Sequence, residues 1–181
     1  MRLRIKIPGA QTLWLAAIVA SAAFLALPSA RAQEPTKPGK EHELLNKLVG
    51  TWEVESEYGS GTMTYKMDLD GHWLVSEFDG EFGGVKILGK GLETYDASAK
   101  KYRSIWVDSL SAKPRILEGN FDKESKVMTL TGEGPWQEDS KAQYKSLTEL
   151  KDINTLNFGL FILEKDGKEQ ALVTIKYKRK K

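Results

Sequence analysis

Turn chemistry constrains this chain more than any single residue does. From Trp52 onward, segments of 6 to 11 residues with alternating apolar and polar character are separated by Gly59-Ser60, Asp70-Gly71, Gly83-Gly84 and Asp166-Gly167. Dipeptides of this kind favour tight hairpins. The Asp70-Gly71 turn pairs Met67 with Leu74, Tyr65 with Ser76 and Met63 with Phe78. A turn at Gly59-Ser60 sets Trp52 opposite Met67 and Val54 opposite Tyr65, and Gly83-Gly84 sets Phe82 opposite Val85 and Phe78 opposite Gly89. All three turns put the same apolar set on one face. A one-residue slip would reverse every side chain, so the agreement fixes parity. The opposite face then carries Glu81 against Lys86 and Glu77 against Lys90, favourable cross-strand pairs on a wetted surface.

Later segments follow the same pattern: 101–108, 114–121, 126–133, 142–150, 155–164 and 169–178. The last hairpin, at Asp166-Gly167, sets Phe158 opposite Ile175 and Leu160 opposite Val173. The parity of the eighth strand against the ninth is left open, because a two-residue turn at Ile153-Asn154 would mismatch their apolar faces. Glu41 to Val49 is the one helical pattern of this region, with Leu44, Leu45, Leu48 and Val49 on one stripe and Gly50 as its stop. About ten short strands at this spacing predict an all-β domain, a single antiparallel meander. Closure into a barrel is favoured because it removes both exposed edges.

Residues 1–32 read as an address. Arg2, Arg4 and Lys6 precede an apolar core over 13–27, and Ala30-Arg31-Ala32 supplies a small-x-small cleavage pattern. The apolar run is shorter than the roughly 20 residues of a spanning helix, so cleavage and export to the periplasm or medium are expected, without stable membrane insertion. Residues 33–40 read as a flexible leader and 41–181 as the barrel domain. The segment 1–32 holds four basic and no acidic side chains; taking these from the 27 basic residues leaves 23 against 25 acidic, a net charge of −2. No net positive field remains to attract phosphates, so nucleic acid is not expected as a partner. With no cysteine, neither a disulfide framework nor a lipoprotein anchor is expected, and burial alone must hold the fold.

A short helix followed by Gly-x-Trp at the start of the first strand resembles the calycin barrels: lipocalins, fatty-acid-binding proteins and nitrobindin-like proteins. More closely, EHELLNKLVGTWEVE, HWLVSEFDGEFGG, GLETYDASAKKY, WVDS, LEGNFDKESKVMTLTGEG and SLTELKD resemble, in order and spacing, the bacterial domain-of-unknown-function family numbered 1579. That resemblance implies a calycin-like barrel in a mostly exported set of proteins, and no established activity. It also implies that Gly50 and Trp52 are structural, with Trp52 plugging the barrel floor under the helix.

Carrying the inward face through a parity-keeping loop at Asp96 puts Ser104, Trp106 and Asp108 inside. A loop over 110–113 then pairs Trp106 with Glu118 and turns Glu118 inward; a bulge would turn Asp108 and Glu118 out. The candidate ligand-binding set is Tyr65, Ser76, Glu93, Ser104, Trp106, Asp108 and Glu118. Carboxylates facing a barrel interior are costly unless paired, wetted or hydrogen-bonded, and they point to a small, partly polar ligand. No metal site and no catalytic residue is assigned. Haem is not expected: His42 lies in the leading helix and His72 beside a turn, neither on a late strand. Two alternatives stand beside binding: a ligand-free envelope or interaction module acting through its surface, and a hydrolase or isomerase using Asp108 with Glu118. Oligomeric state is left open.

Overall fold

Gly83 and Gly84 take φ of 59° and 76°, the left-handed values that a two-residue hairpin turn requires and that glycine adopts without strain. Around that turn a computed structural model, which describes residues 37–137 and 140–181, builds a closed antiparallel meander of ten strands. The expected signal peptide, 1–32, and leader residues 33–36 lie outside the described residues. The helix α1 spans Lys40–Asn46. The strands are β1 Gly50–Ser56, β2 Gly59–Asp68, β3 Trp73–Phe82, β4 Val85–Asp96, β5 Lys101–Asp108, β6 Ser111–Asp122, β7 Val127–Pro135, β8 Lys141–Leu150, β9 Thr155–Leu163 and β10 Glu169–Arg179. Each strand pairs with its chain neighbours, and β1 closes on β10 through Trp52 opposite Arg179 and Val54 opposite Tyr177. Among the described residues no helix is long and apolar enough to cross a membrane.

The β2–β3 and β3–β4 registers are those the turns predict, including Tyr65 opposite Ser76, Glu77 opposite Lys90 and Phe78 opposite Gly89. The first hairpin differs. Its turn is Glu57-Tyr58, and Trp52 stands opposite Met63, four residues from the expected Met67. Gly59 is instead a strand residue. A Cβ there would sit 1.9 Å from the Glu81 carbonyl oxygen, so the close approach of β3, rather than a turn, calls for glycine. An even shift leaves the inward face intact.

Two further differences concern β5–β6 and β8–β9. Trp106 pairs with Arg115 and Asp108 with Ser111, so Val107 alone spans Ala112, Lys113 and Pro114. Pro114 brings no N–H to the ladder and is accommodated in this bulge. Between β8 and β9 the loop takes four residues, Lys151 to Asn154, and Leu150 meets Leu156. That length keeps both apolar faces inward and resolves the parity left open above.

The helix is shorter than the expected 41–49. Its last turn gives way at Lys47, and the chain is held instead by Trp52, 1% exposed, whose indole N–H donates to the Leu48 carbonyl at 2.8 Å. Leu44 and Leu45 turn into the barrel against Leu74, Tyr102 and Leu117. The Tyr102 hydroxyl donates to the Glu41 carbonyl at 3.2 Å. One barrel end is thus covered by α1, and the turns at 57–58, 83–84 and 109–110 ring the other.

Candidate functional site

Ten strands leave an interior wider than their side chains fill, and the gap is a cavity of about 570 Å³. Its lining runs from Leu44 and Leu45 on the helix and Leu48 just beyond it to Tyr58, Gly83 and Leu110 on the opposite turns. Tyr58 and Leu110 are 52% and 61% exposed, which marks the turn end as the mouth. Most of the wall is apolar or aromatic, including Met63, Phe78, Trp106, Leu130, Phe158 and Leu160.

The polar groups gather toward the helix end. Glu93 lies on β4 between Leu74 of β3 and Ser104 of β5, one layer in from Tyr95 and Tyr102. One side of Glu93 faces the cavity, and the rest is deep in the wall; its Oε2 is enclosed and without a protein hydrogen-bond partner. Burial pushes its carboxyl up to about 8, against the opposing pull of the Ser104 hydroxyl. Ser76, 1% exposed, leaves its hydroxyl equally unpartnered. Tyr65 and Tyr177 share a hydrogen bond from β2 to β10, and burial raises both phenols, with the nearby Glu93 adding to the effect.

Gly91 makes room for this cluster. A Cβ on it would stand 2.2 Å from the Ser76 hydroxyl and 3.0 Å from Glu93 Oε1. Gly89 makes room for Trp106, whose ring would be 2.2 Å from an added Cβ. Two glycines on β4 therefore leave space on its inner face for the indole of neighbouring β5 and for the carboxyl of Glu93 on the same strand.

Six of the seven candidate residues line the cavity: Tyr65, Ser76, Glu93, Ser104, Trp106 and Asp108. Asp108 is fully engaged, its Oδ2 accepting from the Trp106 indole at 2.8 Å and its Oδ1 from the Leu110 amide at 2.9 Å. It holds the β5–β6 turn and fixes the Trp106 ring. Glu118 is on the outer face, contrary to the expectation. The bulge at Pro114 displaces β6 by an odd number of residues, and Glu118 pairs with Arg103. Its carboxylate meets Lys101 at 2.5 Å, and that hydrogen bond and charge hold it below the ordinary glutamate range. The proposed acid–base couple of Asp108 and Glu118 is therefore divided by the barrel wall.

Several polar lining residues lie outside the candidate set, among them Arg115, Tyr177 and Ser146. Arg115 occupies the inward place expected for Glu118; its guanidinium lies 4.9 Å over the Tyr144 ring, and Asp108 is close enough to act on it electrostatically. Proline in a strand interior points to a bulge, so Pro114 was the available signal for Arg115. Tyr177 and Ser146 are ordinary alternating strand residues, and nothing local distinguishes them. Gly50 lies between helix and β1 at φ of 129°, and Trp52 is buried beneath the helix end. Among the described residues no group of His, Cys, Asp and Glu side chains could hold a metal.

The fold and the site together define a closed meander β-barrel with a deep, lined interior. The chain belongs to the family described as protein of unknown function (DUF1579), which matches residues 37–179. No curated protein matches the sequence. Among solved structures, an S-type phycobiliprotein lyase from Guillardia theta aligns over 78% of this chain and 93% of its own, at 10% identity and a TM-score of 0.51. A barrel named EF1p2_mFAP2b, bound to DFHBI, covers 77% of this chain and 98% of its own at 12% identity and a TM-score of 0.43. A redesigned β-barrel covers 76% and 96% at 15% identity and 0.39. The likeness to the lyase is one of fold.

Proposed function

We propose that this protein binds a small, partly polar molecule inside its barrel. The observation that carries the reading is a cavity of about 570 Å³ with apolar walls and one enclosed carboxyl, Glu93, short of hydrogen-bond partners. A volume in this range suits a small-molecule site, and a few convergent polar groups in an apolar wall are what orients such a ligand. A filled structural core would not leave a carboxyl, a serine hydroxyl and open volume together, since each unpartnered group costs on the order of 1–3 kcal/mol. Native mass spectrometry of protein from its own host tests the reading. A co-purifying molecule in the low-mass range is expected, and repeated absence after mild preparation would overturn it.

A second reading, an interaction surface, has its own observation. Val75, Leu92, Ile105 and Ile116 form one cross-strand row on the outside of β3 to β6. Leu92 and Ile116 are 38% and 52% exposed. Under that reading, Leu92→Lys would change sedimentation of the protein in host extract, and under the binding reading it would not.

Export completes the proposal, supported by the basic start, apolar core and Ala-Arg-Ala pattern of residues 1–32. Protein recovered from the cell envelope or medium should begin at Gln33. Full-length chain confined to the cytoplasm would reject export.

A further inference from the structure

The geometry points to a ligand of one chemical class: an amphiphile whose basic nitrogen seats against Glu93 at the helix end, with its apolar body extending to the mouth. This rests on the interior-binding reading and narrows it.

Charge distribution along the cavity is the first support. Among the described residues its lining holds three side chains of the acidic or basic types, Glu93, Asp108 and Arg115. Asp108 and Arg115 lie toward the mouth and compensate one another, Asp108 being held also by the Trp106 indole and the Leu110 amide. Glu93 has no cation facing it. Its cross-strand neighbours are Leu74 of β3 and Ser104 of β5, Ser76 lies beside it over Gly91, and the phenols of Tyr65 on β2 and Tyr177 on β10 are close enough to act on it electrostatically. The helix above contributes Leu44 and Leu45. None of these groups supplies positive charge. Among the described residues Glu93 is the one cavity acid without a counter-charge, so a ligand ammonium would pair with its ionised form, whereas a ligand carboxylate there would meet a second carboxyl.

Donor and acceptor balance agrees. An alkylammonium brings only donors, and the closed end offers acceptors: the Glu93 carboxyl, the Ser76 hydroxyl and the two tyrosine oxygens. Aromatic faces of Trp106, Tyr65 and Phe78 lie in the same wall, and ring faces attract cations. The apolar lining beyond accepts a hydrocarbon body, at about 0.8 kcal/mol for each methylene buried.

Binding is then coupled to a proton. In the free protein burial raises the Glu93 carboxyl to about 8, so near neutrality it is mostly protonated. An ammonium, with a pKa near 10 like that of lysine, enters charged, and Glu93 releases its proton to solvent as the ion pair forms. Apparent affinity for the ammonium should therefore rise with pH, roughly fifty-fold from pH 6 to pH 8.

Octylamine, octanol and octanoate, titrated calorimetrically into the protein, share a tail and differ in the head. Octylamine is expected to bind tightest, with affinity rising steeply from pH 6 to pH 8, while octanol shows little change. Glu93→Gln, checked for an intact melting transition, should equalise octylamine and octanol. Should that variant not fold, the pH profile of the unaltered protein still decides. Octanoate or octanol binding as tightly as octylamine, or a flat octylamine profile, would overturn the ligand class while leaving interior binding in place. No binding of any of the three would overturn both.

Discussion

The guanidinium of Arg179 lies over the indole of Trp52, 4.0 Å from its centroid, at the seam where β1 meets β10. The same side chain donates to the carbonyls of Lys47 at 2.7 Å and Ile153 at 2.8 Å, and to that of Val49. One residue at the end of the last strand thus ties the segment after α1, the β8–β9 loop and the floor tryptophan together. Arg179→Ala should cost about 2–4 kcal/mol, the sum of several charge-assisted bonds and one stacked cation. Arg179→Lys should recover little, since an ammonium cannot reproduce the planar fork. Urea unfolding midpoints of the two variants check this; a full rescue by lysine would reduce Arg179 to a point charge.

Glu93 should make stability depend on pH with an unusual sign. Its folded pKa, about 8, is above the ordinary 4.5. Between those values the native state holds a proton that the unfolded chain has lost, so this contribution is complete below about 4.5 and declines as pH rises toward 8. Glu93→Gln removes the dependence and should stabilise the protein at pH 8 by about 3 kcal/mol relative to its effect at pH 5. Chemical unfolding at the two pH values measures it, and an equal effect at both would refute the raised pKa.

His42 acts in the opposite direction. Burial lowers its pKa below 6.5, with His72, 5.7 Å away ring to ring, adding to the shift. The unfolded chain therefore takes up its proton first on acidification, and stability is lost as pH falls from 6.5 through the folded value. His42→Gln should flatten the decline in melting temperature between pH 7 and pH 5. Retention of the full decline would assign it to other groups.

Asp108 and Glu118 should separate cleanly despite their similar chemistry. Asp108→Asn weakens two charge-assisted bonds at the cavity wall and should cost about 1–2 kcal/mol. Glu118→Gln removes an exposed ion pair and should stay within about 0.5 kcal/mol of the unaltered protein. Thermal melts decide, and a comparable loss at both positions would contradict the placement of Glu118 outside.

Gly89→Ala places a methyl group in the Trp106 ring, 2.2 Å from its nearest carbon. Accommodating it requires the indole to move off Asp108, at a cost of about 1–3 kcal/mol. The near-ultraviolet circular dichroism of the tryptophans should change with it. An unaltered spectrum and melt would show the wall to be more yielding than its contacts imply.

Most of the candidate site was legible because hairpin parity travels along a meander without loss when the loops are tight. Gly83-Gly84 and the four-residue Asp96 loop carry Tyr65, Ser76, Glu93, Ser104 and Trp106 onto one face. The mistaken turn at Gly59 did no harm, because a shift of four residues conserves the face. At β5–β6 the displacement was odd, and Glu118 went outside while Arg115 came in.

Alternation of side chains and the backbone needs of turns are local properties, so the sequence by itself determined the meander and the inward face of most strands. The tertiary structure alone decided that Glu93 has no counter-charge among the described residues, that Arg179 covers Trp52, and that the interior stays open. Those depend on residues far apart in the chain meeting on the closed wall, where Gly89 and Gly91 leave space for side chains of neighbouring strands. Volume and enclosure belong to the closed circle of strands, and no single strand encodes them.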